Sequence, residues 1–236
     1  MKVIQANCRI QFTPGDIDFI ASVLGKKPTD AQYLTSLLTD ENSRDTILDD
    51  ESLFRAVTEY PGCLRVSDHL YFYVIVRRVL RRTGIDGRSV ADYVAEVLCE
   101  FSRIERTRCI LPGRAEPIHY LFEMIAALES ADERTSFYIR THIGNHSLFW
   151  SGVFPEHIRH RAESRGGPGM KYYEALGQTH FRAASDHRLA ERYALGPVLA
   201  TLAEHFQAAR LALNDAAQRI FSIGDPELPL ELQLQA

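Results

Sequence analysis

The sequence predicts an all-α fold, a single-domain helical bundle of about 8–10 helices behind a short extended N-terminal segment. Three observations predict it. Apolar residues recur three and four apart over most of the chain, Ser, Thr, Asp or Pro opens the runs and Gly or Pro closes them. No stretch shows the sustained period-two alternation of a half-buried sheet, and no internal repeat is visible.

Residues 1–12 alternate weakly through Val3, Ile4, Cys8, Ile10 and Phe12 and read as extended. The helical domain is expected over 13–224 and a loose tail over 225–236. Thr13-Pro14 is a cap followed by proline at the first helical position, and Gly25 is the expected stop. Thr29 opens a helix with Tyr33, Leu34, Leu37 and Leu38 on one side, and short helices follow at 42–48 and 50–59 before Pro61-Gly62. Leu70 to Val76 has strand propensity, yet Ser67-Asp68 makes a helix start and Arg77 to Arg82 with Gly84 a helix end. A helix over 67–83 that is apolar nearly all round belongs at the centre of the fold. Ser89 then opens a helix carrying Val90, Tyr93, Val94, Val97, Leu98 and Phe101 on one face.

Beyond Leu111-Pro112-Gly113, Pro117 begins a helix to about Glu129, with Ile118, Leu121, Phe122 and Ile125 as its buried face. Residues 132–153 read as one long helix, and Phe154-Pro155 starts another that ends before Gly166-Gly167-Pro168-Gly169. The next covers 170–184. The last is expected as one long helix from Pro197, with Leu199, Leu202, Phe206, Ala209, Leu213, Ala217 and Ile220 inward, stopped by Gly224-Asp225-Pro226.

Composition narrows the function classes. A net charge of −4 disfavours a general nucleic-acid binder. The longest apolar run, Leu70 to Val76, is far short of the roughly 20 residues that cross a bilayer, and the start resembles no signal peptide. Cys8, Cys63, Cys99 and Cys109 lack C-x-x-C spacing and read as reduced thiols of a cytoplasmic protein. Positive charge is unevenly placed, with nine arginines against five acids between residues 77 and 114.

Six of the nine histidines fall between Thr141 and His187. His142 and His146 stand four apart on one helix, His146 within the stripe of Ile139, Ile143, Trp150 and Val153 and His142 at its edge. His180 falls among Tyr173, Leu176, Gly177 and Ala184. Core-facing histidines are more often hydrogen-bonded structural groups than ligands. The functional alternative is Fe, Mn or Zn held by His146, His180 and His142 with a carboxylate such as Glu174 or Asp186. His157 and His160 read as surface residues. Glu116-x-x-His119 with Glu123 has the spacing of a di-iron motif, but these residues oppose the apolar face and read as solvated.

Arg77, Arg78, Arg81 and Arg82 are the candidate partner-binding residues, able to hold phosphate or acidic groups. Cations that complement a helix C-terminus and cover apolar surface are the plainer account. Arg165 to Lys171 lacks the order of a phosphate loop and reads as an interhelical connection.

The run Gly144-Asn145-His146-Ser147-Leu148-Phe149-Trp150-Ser151-Gly152-Val153-Phe154, followed by Tyr172-Tyr173-Glu174-Ala175-Leu176-Gly177 and by Leu202 to Phe206, resembles a motif series in a group of uncharacterised bacterial helical proteins. The resemblance covers mainly the C-terminal half. It implies an all-helical soluble fold with no known activity and no required histidine at 146 or 180. The small residues Gly144, Gly152 and Gly177 fit close helix–helix approach better than chemistry.

The leading expectation is a non-catalytic helical module that binds a protein partner as a regulator or assembly factor. The alternatives are a metal-dependent enzyme of oxidase or oxygenase type built on His146 and His180, and nucleic-acid or nucleotide contact through Arg77–Arg114.

Overall fold

A computed structural model of the chain describes residues 3–25, 36–37, 40–59, 66–102 and 121–222, with side chains through 218. Among the described residues there are twelve α-helices and no strand. In chain order they are α1 (Pro14–Leu24), α2 (Glu41–Leu48), α3 (Glu51–Glu59), α4 (Asp68–Arg82), α5 (Arg88–Phe101) and α6 (Leu121–Ala127). The second half holds α7 (Glu133–Val153), α8 (Pro155–Arg165), α9 (Met170–Ser185), α10 (Arg188–Arg192), α11 (Gly196–Glu204) and α12 (Phe206–Ser222). No described helix is long and apolar enough to cross a membrane.

Local chemistry sets the helix starts. Thr13 and Asp16 close a reciprocal capping box on α1, so two of its free N–H groups are satisfied at once. The carboxylate of Asp16 then accepts from the N–H and hydroxyl of Ser67, both at 2.7 Å, while Ser67 itself caps α4. One buried acid thereby ties the starts of two helices. Asp132 caps α7 through the Thr135 N–H at 2.6 Å.

The turn Thr83–Gly87 folds α5 back against α4, and α3 and the 3₁₀ turn Cys8–Gln11 pack on this pair. In the other half α9 and α12 pack on α7, and α11 packs on α9. Helix α12 also lies on α4, so it joins the halves. One hydrophobic cluster runs from Cys8 and Ile20 through Tyr73, Tyr93, Phe137 and Phe181 to Ala216, as one domain requires. Buried side chains surround α7 from Phe137 to Gly152, which makes it the axis of the second half.

Close approach is built into the sequence of α7 and α9. A Cβ added at Gly144 would lie 2.5 Å from the Phe181 ring, and one at Gly177 would lie 2.2 Å from the Phe206 ring. Tyr93 on α5 donates its hydroxyl to Asn145 Oδ1 at 2.9 Å, inside the core, so Gly144-Asn145 continues α7 instead of breaking it.

Four expectations are corrected. Residues 8–11 form a 3₁₀ turn and not an extended strand: with no strand alongside, Ile10 N–H satisfies the Asn7 carbonyl at 3.0 Å. The helix expected from Pro197 breaks at His205, which turns Phe206 inward over Gly177. This break and the short α10 raise the helix number above the range expected. Phe122 is 67 % exposed, because Leu121 and Met124 set the buried stripe of α6 and Phe122 stands about 100° away from Leu121. The Thr29 helix over 29–38, the Pro117 helix start and the 225–236 tail lie largely or wholly outside the described residues.

Helix α10 ends in a Schellman motif, with the Leu195 N–H on the Ala190 carbonyl and the Ala194 N–H on the Glu191 carbonyl. Its left-handed position is Ala194, at φ 53°, where alanine costs about 1–2 kcal/mol.

The Gly177→Ala substitution checks the packing argument. Alanine gains about 1 kcal/mol of helix propensity, but its methyl must displace a fully buried Phe206 ring. A net loss of about 1–3 kcal/mol in urea unfolding is expected.

Candidate functional site

The histidines divide between two sides of α7. Gly144 faces Phe181 of α9, and His146 stands two residues, about 200°, further round. His146 is buried, and its ring lies 6.5 Å from that of His142 and 5.9 Å from that of Trp150. His157 continues this ladder at 5.6 Å from Trp150, while His142 also lies 5.5 Å from Phe101. His180 is buried on α9 next to Phe181 and within the field of Arg140. The structure does not assemble His142, His146 and His180 into one ligand set. Of the two carboxylates considered with them, Glu174 bonds Arg210 at 2.7 Å and Asp186 is exposed.

Burial explains the protonation of both core histidines. Burial, then the nearby His142, pushes His146 down to about 3. Burial, then Arg140, pushes His180 down to about 4. Nδ1 of each has no hydrogen-bond partner among the described residues. They are neutral imidazoles in an apolar setting. His160 is exposed, as expected, and His157 is half-buried. Glu116 and His119 of the Glu-x-x-His pattern lie outside the described residues, as do Arg103, Arg106, Arg108 and Arg114.

The arginines at the end of α4 are engaged inside the molecule. Arg77 is buried, with Nε on Asp49 at 2.8 Å, Nη2 on Asp86 at 2.7 Å and Nη1 on the Asp86 carbonyl at 2.7 Å. Arg78 pairs with Glu51, Arg81 with Asp49 at 3.2 Å, and Arg82 with Asp215 at 4.0 Å. Burial disfavours the Asp49 charge, but Arg77, Arg81 and Arg88 hold its carboxyl below the ordinary range. Arg9 adds a second centre, bonding Asp92 through Nε and Nη2 and Asp45 through Nη1.

A different group of arginines faces outward. Arg134, Arg188, Leu189, Arg192 and Tyr193 line a recess of about 410 Å³ where the start of α7 meets α10. His187 fixes this meeting. Its Nδ1 accepts from the Leu189 N–H at 3.1 Å, so in the neutral ring Nε2 carries the proton and donates to the Glu133 carbonyl at 2.9 Å. Phe137 stacks on Tyr193 at 6.0 Å. The Tyr138 and Tyr193 hydroxyls are 3.2 Å apart, and the Arg134 guanidinium lies 5.8 Å over the Tyr138 ring. Bonding to Tyr193, then to Arg134, holds the Tyr138 phenol below its ordinary value. Arg188 is shared with Glu133 at 2.7 Å.

Sequence reasoning missed this recess. Arg188 and Arg192 are four apart on one helix face, which was a usable signal, but Arg134 is brought to them only by tertiary packing. It also missed Cys8, Glu96 and Cys99, whose ligand atoms stand within 4.8 Å of one another, the one such group of His, Cys, Asp or Glu among the described residues. Glu96-x-x-Cys99 gave two of its three members. No protein-family model, curated protein or solved structure matches this chain.

The depressed histidines set a pH dependence. The unfolded chain takes up protons below about 6.5, whereas folded His146 and His180 resist until about 3 and 4. Their stability contribution is therefore full above the unfolded value and falls as pH drops from there towards the folded values. In urea unfolding at pH 7.5 and pH 5, the wild type should lose about 2 kcal/mol per histidine from this source, and His146→Gln or His180→Gln should flatten the profile. Identical slopes in wild type and variants would contradict the assignment.

Proposed function

We propose that this chain is a non-catalytic helical module that binds an acidic protein segment in the recess formed by Arg134, Arg188 and Arg192. The carrying observation is that three guanidinium groups and no carboxylate line a recess whose remaining walls are Leu189 and Tyr193. Arginine forks suit carboxylate groups, and the leucine and tyrosine surfaces suit an apolar side chain between two acids. Two features hold the groups ready. His187 caps α10 through Nδ1 and ties it to α7 through Nε2 on the Glu133 carbonyl, and the Tyr138 hydroxyl lies 3.4 Å from Arg134 Nε. A protein of net charge −4 has no general attraction for acidic partners, so binding depends on this local site.

A protein segment is favoured over a nucleic acid by the size of the recess, since tracking a nucleic-acid backbone calls for a longer basic stripe than these three arginines provide. The Arg77–Arg82 face supports the reading less well, because all four of those arginines already have an acid of this chain beside them, whereas in the recess Arg188 alone is shared, with Glu133.

A fluorescein-labelled peptide of glutamate and aspartate around a single leucine provides the test. Binding should weaken as salt rises, and Arg134→Ala and Arg192→Ala should each lower affinity about tenfold, the loss of one charge-assisted contact. Arg165→Ala, an exposed arginine elsewhere, should leave binding unchanged. Equal binding by the Arg134→Ala/Arg192→Ala double variant, or tighter binding of a single-stranded oligonucleotide of equal charge, would overturn the proposal.

A further inference from the structure

We propose that Cys8, Glu96 and Cys99 form a binding site for one zinc ion that fastens the N-terminal segment to α5. The donor set carries the inference. Two thiols and a carboxylate from two parts of the chain converge in the interior, at 0 %, 4 % and 5 % exposure for Cys8, Cys99 and Glu96. Their ligand atoms all lie within 4.8 Å of one another. Zinc bonds of about 2.3 Å to sulfur and 2.0–2.2 Å to oxygen put neighbouring ligands of a tetrahedron roughly 3.3–3.8 Å apart. The present spacing exceeds that by about 1 Å at most, so the three side chains must close in by that amount on binding the ion.

The elements present the donors in a fixed way. Glu96 and Cys99 are three apart on α5 and share one face. Cys8 opens the 3₁₀ turn that packs on α4 and α5, and Arg9, the next residue, is locked to Asp92 one turn before Glu96. The Cys8 thiol donates to the His69 carbonyl at 3.3 Å, and His69 Nε2 stands 3.4 Å from the Glu96 carboxylate. In the zinc-bound state His69 holds Glu96 from outside the ligand shell, as imidazoles and carboxylates around metal sites commonly do. Its partly exposed ring marks the route by which the ion enters and the side on which a water completes the tetrahedron.

The chemistry selects the ion. Two sulfurs disfavour magnesium and calcium, and the carboxylate oxygen disfavours copper(I), which leaves zinc as the fitting divalent metal. Each thiol that ligates releases its proton to solvent, so zinc uptake acidifies the medium.

The test uses the full chain, reduced and stripped with chelator, then titrated with zinc chloride or cobalt chloride. Elemental analysis should find one zinc per chain, and the cobalt protein should show sulfur-to-cobalt charge-transfer absorption. The Cys63→Ser/Cys109→Ser variant should keep both, since Cys8 and Cys99 are then the only sulfurs of cysteine left. Glu96→Gln should weaken zinc binding at least about tenfold, and His69→Gln should weaken it to a smaller extent. His146→Gln should leave the stoichiometry at one. Cys99→Ser should abolish stoichiometric zinc binding, and if that variant fails to fold, the absorption of the Cys63→Ser/Cys109→Ser protein still decides the matter. Substoichiometric zinc, cobalt bound without the thiolate band in that variant, or loss of zinc on His146→Gln overturns the proposal.

Discussion

Arg9 enters the fold from a 3₁₀ turn and gives Asp92 its backbone N–H at 3.0 Å, its Nε at 3.0 Å and its Nη2 at 2.8 Å, while Nη1 takes Asp45. Its guanidinium also lies 5.6 Å over the Tyr73 ring. Burial works against this charge, but the Asp92 bond and Asp45 hold the guanidinium above its ordinary value. A half-buried arginine held in this way on a buried carboxylate is a register pin, because removing it leaves the Asp92 charge uncompensated in the interior. The pin sets Cys8 against Glu96 and Cys99. Through Asp45 it reaches Arg88 at 3.1 Å, which meets Asp49 at 3.5 Å, and Asp49 meets Arg77 and Arg81. The N-terminal turn, α2, α4 and α5 are thereby held as one lattice of charge.

The second half is held by shape. Helix α7 accepts Phe181 over Gly144 and Leu213 against Gly152, and α9 accepts Phe206 over Gly177. Burial lowers the affinity of His146 and His180 for a proton, so both rings remain neutral. The polar chemistry of this half is displaced outward, to the seam where α7 begins and α10 crosses it. There the arginines meet fewer acids and the recess opens.

Much of the fold was legible because helix signals are local. Thr13-Pro14, Ser67, Asp132 and Phe154-Pro155 act within three or four residues of themselves, and each marks a helix start in the structure. The break at His205 was not legible, because no glycine or proline marks it in the sequence, and the contact beside it, Phe206 on Gly177, is made with another helix. The site was harder for the same reason. Arg77 looks like a helix-end cation until Asp49 and Asp86 come to it from 28 and 9 residues away. His146 was correctly read as buried, but burial alone did not say which side of α7 it faced. Cys8 and Cys99 are separated by most of the first half of the chain, and spacing rules for cysteine pairs do not reach that far.

The pairing of Arg9 with Asp92 is the claim on which the placement of the whole N-terminal half rests. A double-mutant cycle with Arg9→Met and Asp92→Leu, followed by urea unfolding, tests it most directly. The account predicts that each single variant loses about 3–5 kcal/mol and that the double variant loses far less than their sum, with a coupling of about 2–3 kcal/mol. Single losses that add to within about 0.5 kcal/mol would contradict it.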